Sequence, residues 1–348
     1  MKSITKDANN NKIKVCFFSH ESKESLMKEQ YSIQDIRILS ELGYNVIIAN
    51  SFSEIPWGCD LYFSWWASGS ILPLIKARLS KKPIIIIAGG NEAMFYYDSI
   101  SKLPYGYLIT PWYKKLATIL SLRFGTVILV VSNFMIADVR KLGAANPKVI
   151  YNSINPETFC LSDLRRTFIT TIINLEENVV ELKRGENFIR SIPYILERFP
   201  DQKFIVIGNK GSAFKRLQML TFHIGIEKNI EFIGSINNSE VIKWLQLSKA
   251  YVQISDTETF GVAIGEAMSC GTPVVVSRRG AIPEIVDKCG FFVDHNNPES
   301  VAAGIIEILK KTDGEITEIG LKSRNRIINN FSYNQRKKSI REIIEEII

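Results

Sequence analysis

Short, continuous apolar runs recur along this chain, each followed by a turn and then by a helical pattern. In the first half they lie at 14–19, 45–50, 61–64, 83–88 and 126–132. In the second half they lie at 167–173, 203–208, 230–234, 251–255, 273–277 and 291–293. A run that is apolar throughout, without alternation, describes a strand covered on both faces. Strands separated by helices describe parallel sheets built from βαβ units. These runs are too many for one compact sheet in 348 residues, and that length allows two domains. The reading is α/β, with two Rossmann-like, doubly wound parallel-sheet domains.

The joint falls in the polar, turn-prone "YNSINPETF" (151–159). This divides the chain into domains at 1–152 and 153–330, followed by an amphipathic helix at 331–348. In that helix Ile340, Ile343, Ile344, Ile347 and Ile348 follow the i, i+3, i+4, i+7, i+8 spacing of one apolar stripe. The stripe is expected to pack back toward the N-terminal domain.

Hydrophobic residues make up 46% and charged residues 23%, the profile of a soluble globular protein. No apolar run reaches the roughly 18–20 residues that span a bilayer. The opening "MKSITKDANNNKIK" lacks the apolar core of a secretory signal and reads as a short disordered tail. Five cysteines, with no C-x-x-C pair, suit reduced cytoplasmic thiols and argue against a zinc site or a disulfide framework. Residues 1–152 carry 18 Lys and Arg against 11 Asp and Glu, while residues 153–348 carry 25 of each. The whole excess of +7 therefore sits in the first half, where it would attract an anionic partner such as a membrane surface.

In open parallel sheets, ligands bind beyond the carboxyl ends of the strands. One such loop opens "ETFGVAIGEAMSCGTPVVV" (258–276), where two glutamates stand among small and apolar residues. Glu258 falls on the loop after a strand. Gly261 permits a sharp turn, and Glu266 falls inside the helix that follows. A carboxylate among such neighbours costs several kcal/mol unless it is hydrogen-bonded or paired. Vicinal hydroxyls, as on a ribose, suit an acceptor-only carboxylate. The N-terminus of the same helix offers free backbone N–H groups to a phosphate. Sugar, phosphate and ribose are the parts of a nucleotide sugar.

The E-x7-E pattern in this segment resembles the signature of retaining family-4 glycosyltransferases, which have the GT-B architecture of two domains facing across a cleft. "VSNFMIADVRKLGAANPKVIYNSINPETF" (131–159) and "IEFIGSINNSEVIKWLQLSKAYVQIS" (230–255) are similar to further segments of that family. The resemblance implies an acceptor-binding N-terminal domain and a donor-binding C-terminal domain. It implies that Glu258 contacts hydroxyls of the donor sugar and Glu266 the ribose. Thr259, Phe260, Gly261 and Val262 would hold the diphosphate by their backbone, and Ser235 and Ile236 would line the nucleobase.

Transfer expels a nucleoside diphosphate, whose developing charge must be stabilised. The sequence has no D-x-D pair, so no catalytic metal and no cofactor are expected. The loop "ENVVELKRGENF" (177–188) offers fixed cations in Lys183 and Arg184, with Arg184 matching the family's usual Lys before Gly. The division of labour between the two stays open. In the N-terminal half, many family members carry a His on a loop that here reads "AGGNEAMFYYDS" (88–99), with Gly89, Gly90 and Asn91 and no His. His20, at the end of the first strand, is the one substitute, while His223 and His295 read as surface or capping residues. Trp65 and Trp66 could stack on an acceptor sugar or be buried against the sheet. The stretch 107–124 mixes Trp112 and Leu116 with Lys114 and Lys115, as a helix lying on a membrane does.

The expected function is metal-independent transfer of a hexose from a nucleotide-diphosphate sugar to a saccharide or lipid-linked hydroxyl, with retention. The setting is cytoplasmic, with an anionic membrane surface as candidate partner and no nucleic acid. Two alternatives remain: a GT-B-type sugar-nucleotide epimerase and a non-catalytic partner that binds nucleotide sugar.

Overall fold

The computed structural model describes residues 12–26 and 30–348. The tail at 1–11, and residues 27–29 of the loop after the first strand, lie outside the described residues. The first-half strands are β1 (Lys14–Phe18), β2 (Asn45–Ala49), β3 (Leu61–Trp65), β4 (Ile84–Ala88), β5 (Phe95–Tyr97), β6 (Pro104–Gly106), β7 (Val127–Val130) and β8 (Lys148–Val149), of which β1–β4 and β7 are the apolar runs. They continue with β9 (Phe168–Ile172), β10 (Lys203–Ile207), β11 (Ile230–Gly234), β12 (Ser248–Gln253), β13 (Val274–Ser277) and β14 (Phe291–Val293). Helices connect most successive parallel strands, as the twist of a βαβ unit requires, while β2 runs to β3 through a helix-free loop.

Two six-stranded parallel sheets result, in the orders β2-β1-β3-β4-β7-β8 and β11-β10-β9-β12-β13-β14. A small antiparallel hairpin joins β5 to β6, with Tyr96 opposite Tyr105. The sequence reading did not anticipate this hairpin, nor the two-residue β8. Strands β3 and β4, central in the first sheet, are buried from end to end, which is why they read as unbroken apolar runs.

The chain divides into two compact units. One holds the described residues up to Tyr97, Leu103–Asn152 and Arg336–Ile348; the other holds Asp98–Lys102 and Ser153–Gln335. Five residues from the middle of the first half therefore belong to the second unit. The last helix, Tyr333–Glu345, buries Arg336, Ile340, Ile343 and Ile344 in the first unit. There Arg336 forms a two-pronged pair with the buried Asp35, Nε to Oδ1 at 2.6 Å and Nη2 to Oδ2 at 2.7 Å. Asp35 also accepts the Trp65 indole N–H at 2.9 Å. Trp65 is thus fully engaged inside this unit and is not a stacking surface.

In the second unit, helices Gly185–Leu196 and Pro298–Leu309 bury Phe188, Ile192, Ile305 and Ile308 with sheet residues Phe204 and Val252 in one core. That packing fixes the strand ends from which the loops below extend.

Candidate functional site

Tyr251, Gln253 and Ser255 alternate along β12 and its end, so their side chains share one face. The Tyr251 hydroxyl donates to Gln253 Oε1 at 2.6 Å. Gln253 Nε2 (2.6 Å) and Ser255 Oγ (3.0 Å) both donate to Glu258 Oε1. One carboxylate oxygen is thereby fixed, and Oε2 accepts no hydrogen bond among the described residues. Two turns shape this loop. Gly261, at φ +94°, begins the helix Val262–Ser269. Gly280, at φ +57°, lets its backbone pass so close to Glu258 that a Cβ there would sit 2.4 Å from the Glu258 carbonyl oxygen.

The helix has no side-chain cap and no acidic residue in its first turn. Its first backbone N–H groups lack partners within the helix. Glu266 lies in its second turn, half-buried, and its carboxyl forms no hydrogen bond among the described residues. Burial pushes that carboxyl up to about 7, against the opposing pull of Lys183. The same Lys183, 23% exposed, places Nζ 3.9 Å from Glu258 Oε1. Lys183, Glu258 and Glu266 are therefore brought together beside the start of Val262–Ser269, where Thr259 and Phe260 complete the loop. Ser235 and Ile236 follow β11, three strand positions from β12, or about 14 Å at the usual inter-strand spacing.

Arg184 has partners that the sequence reading did not assign to it. It is 5% exposed and lies between two buried carboxylates, with Nη2 at 2.7 Å from Asp98 Oδ2 and 3.0 Å from Asp256 Oδ2. The same group donates to Ser99 Oγ, while Nε donates to Asn296 Oδ1 and Nη1 to the Glu181 carbonyl. Burial alone would raise the Asp98 carboxyl. The backbone N–H groups of Ser101 and Ile100 and the Arg184 guanidinium instead hold it below the usual range. His295, expected at the surface, is buried with Nε2 at 2.6 Å from Asp256 Oδ1. No sequence signal joined Asp98, Arg184, Asp256 and His295, which come from four separate loops. The alternation of Tyr251, Gln253 and Ser255 in a buried strand was a signal that could have been used.

In the first unit, His20 is exposed after β1, and a Cβ at Gly69 would meet its Nδ1 at 2.7 Å. The glycines after β4 serve packing. A Cβ at Gly89 would lie 2.5 Å from the Trp65 ring, and one at Gly90 would lie 2.8 Å from the Trp66 ring. The space next to them is thus filled by indoles. Asn91 is exposed and begins a short 3-10 turn, Asn91–Ala93. Its neighbour Glu92 is half-buried, and burial pushes its carboxyl up to about 7. Among the described residues, Glu92 Oε1, Trp66 Nε1 and Glu21 Oε2 are buried without hydrogen-bond partners near the ends of β4, β3 and β1. Among the described residues, no three His, Cys, Asp or Glu side chains are grouped to hold a metal ion.

Residues 173–332 match the family described as glycosyl transferases group 1. An uncharacterized glycosyltransferase of Methanocaldococcus jannaschii is 33% identical over 175 residues, covering 47% of this chain and 44% of that protein. The N-acetyl-alpha-D-glucosaminyl L-malate synthase of Bacillus anthracis is 26% identical over 226 residues, covering 60% of this chain and 58% of its own. The matches thus span less than two thirds of each relative. HepE from Anabaena, in complex with UDP and glucose, superposes with a TM-score of 0.75 at 16% identity, over 96% of this chain and all of that one. At that identity the likeness concerns the fold, which is that of the GT-B glycosyltransferases.

Proposed function

We propose that this chain, whose residues 173–332 match the glycosyl transferases group 1 family, moves a hexose from a nucleotide-diphosphate sugar to an acceptor hydroxyl, with retention. The observation that carries the reading is the convergence of Lys183, Glu258 and Glu266 around the uncapped start of Val262–Ser269. Each has chemistry suited to one part of the donor. Glu258, fixed through Oε1, offers Oε2 to hydroxyls of the transferred sugar. Glu266, unpaired in an apolar helix face, accepts the ribose hydroxyls. The helix N-terminus and Lys183 take the diphosphate, whose charge grows as the bond to the sugar breaks.

In the transfer, the bond between the anomeric carbon and the diphosphate oxygen breaks, and that oxygen leaves with the bonding electrons. The acceptor oxygen bonds to the same carbon, and its proton passes to the departing phosphate. Both the leaving group and the acceptor lie on one face of the sugar, so configuration is retained and no separate protein base is required. Orientation and fixed charge supply the acceleration. Lys183 and the helix N-terminus stabilise the diphosphate charge without a metal ion.

The acceptor belongs to the first unit, where Glu92 Oε1, Trp66 Nε1 and Glu21 Oε2, without partners among the described residues, call for hydroxyl groups. We assign it as a saccharide or lipid-linked hydroxyl presented at an anionic membrane surface on the cytoplasmic side. Helix Trp112–Phe124 exposes Trp112 (76%), Tyr113 and Leu116, with Lys114 beside them. The excess positive charge lies in the same half of the chain. Among the described residues no helix is long and apolar enough to cross a membrane, so the attachment proposed is peripheral.

The test is turnover. The full chain is incubated with UDP-, GDP- and ADP-hexoses, with and without EDTA, and free nucleoside diphosphate is measured. Slow release from one donor class, unaffected by EDTA, is expected. Binding of a donor without any release would favour a non-catalytic partner, and activity abolished by EDTA and restored by Mg²⁺ would overturn the metal-free chemistry.

A further inference from the structure

A buried polar cluster of the second unit is built around a five-residue strap, Asp98–Lys102, whose flanking residues Tyr97 and Leu103 belong to the first unit. The strap is held like a bound peptide. Ser99 N–H donates to Asp256 Oδ2 at 2.7 Å, and Asn296 Nδ2 donates to Ser99 Oγ at 3.1 Å. Ser99 Oγ also lies 3.3 Å from His295 Nε2. Asp98 Oδ1 closes the strap on itself by accepting the N–H groups of Ile100 and Ser101, which leaves Oδ2 for Arg184.

Arg184 is committed on every side of its guanidinium, so little of its donor capacity remains for a phosphate. Its backbone is at φ +51°, a left-handed conformation that a non-glycine residue holds only when its surroundings enforce it. The preceding turn is held from the same cluster, because Asp256 N–H donates to the Leu182 carbonyl at 2.8 Å. Lys183 stands between these two fixed points, and its side chain points the other way, to Glu258.

We propose that Asp98 and Arg184 are positioning residues, and that the Asp98–Lys102 strap locks the Lys183–Arg184 turn so that Lys183 alone faces the diphosphate. This rests on the nucleotide-sugar reading above. Positioning of this kind acts entirely through Lys183, so removal of the strap's grip and removal of the lysine should not add. A competing idea gives Asp98 the opposite role, as an internal anion that occupies Arg184 until a diphosphate displaces it.

The experiment is a double-mutant cycle on the full chain, reading the affinity of whichever nucleoside diphosphate, UDP, GDP or ADP, the wild type binds. Lys183→Ala should weaken binding at least tenfold. Asp98→Asn should weaken it severalfold, and the double variant should be no weaker than Lys183→Ala alone. Arg184→Lys should behave as Asp98→Asn does, since one ammonium cannot hold both carboxylates together with Asn296 and the Glu181 carbonyl. Ser99→Ala, a milder loosening of the strap, gives the same reading with a smaller loss if Asp98→Asn does not fold. Tighter binding by Asp98→Asn or Ser99→Ala, unchanged binding, or losses that add in the double variant would each overturn the proposal. If the wild type binds no nucleoside diphosphate, the functional reading fails and the proposal falls with it.

Discussion

Glu258 and Glu266 differ in what holds them, and that difference sets two predictions. Glu258 is fixed by Gln253 and Ser255 and aimed at the transferred sugar. Glu258→Gln should reduce turnover by about 100-fold, the scale of losing one group that acts in the transition state, while nucleoside diphosphate binds as before. A matching loss of nucleoside diphosphate affinity, read by calorimetry, would move Glu258 to the nucleotide. Glu266 is held by no hydrogen bond among the described residues, and burial raises its carboxyl from 4.5 to about 7. A folded-state pKa above the unfolded one favours the protonated native state. Its contribution to stability is therefore full below about 4.5 and lost as pH rises through about 7. Ribose hydroxyls donate to the ionised form, so binding should tighten as pH rises through about 7. Glu266→Gln should weaken binding by about 1–3 kcal/mol and lose that rise. An identical pH profile in wild type and variant would remove Glu266 from the ribose.

Strands were legible where burial on both faces made the sequence continuously apolar, as in "IIIIA" of β4. The hairpin β5–β6 was not, because "FYY" and "PYG" are only three residues each and the second opens on proline and ends on glycine. The E-x7-E unit was legible because both of its glutamates lie on one strand–loop–helix element. The Asp98–Arg184 pair was not, being formed by loops 86 residues apart, where no periodicity operates. Gly280 belongs with the elements that sequence alone passes over. Its loop after β13 abuts the backbone of Glu258, and its positive φ suits glycine. Gly280→Ala would place a Cβ 2.4 Å and 2.5 Å from the Glu258 carbonyl oxygen and nitrogen, so one of the two loops must shift. The expected outcome is a loss of about 1–3 kcal/mol for the strained backbone, with turnover falling alongside. Full activity at unchanged Tm would show that the Glu258 loop is not set by this contact.

The molecule as a whole is asymmetric in charge: the first 152 residues hold the excess of +7 and the remainder is neutral. Lys115 is partly spent on the Leu108 carbonyl, which leaves Lys114 as the exposed cation beside Trp112. The full chain should bind phosphatidylglycerol vesicles at low salt and release them as the screening length falls from about 10 Å at 0.1 M toward about 3 Å at 1 M. Lys114→Glu should weaken that binding. Equal binding by the variant, or none by the wild type at any salt, would leave the asymmetry as surface composition. The account depends most on the second unit being a nucleotide-sugar site, and ligand-induced stabilisation measures this directly. The full chain and its Glu266→Gln, Glu258→Gln and Lys183→Ala variants are melted with UDP, GDP and ADP and their hexose conjugates. One nucleotide class should raise the wild-type Tm. The response should persist in Glu258→Gln with the free diphosphate and shrink in Glu266→Gln and Lys183→Ala. A wild type indifferent to every nucleotide, or a shift that survives in all three variants, would contradict it.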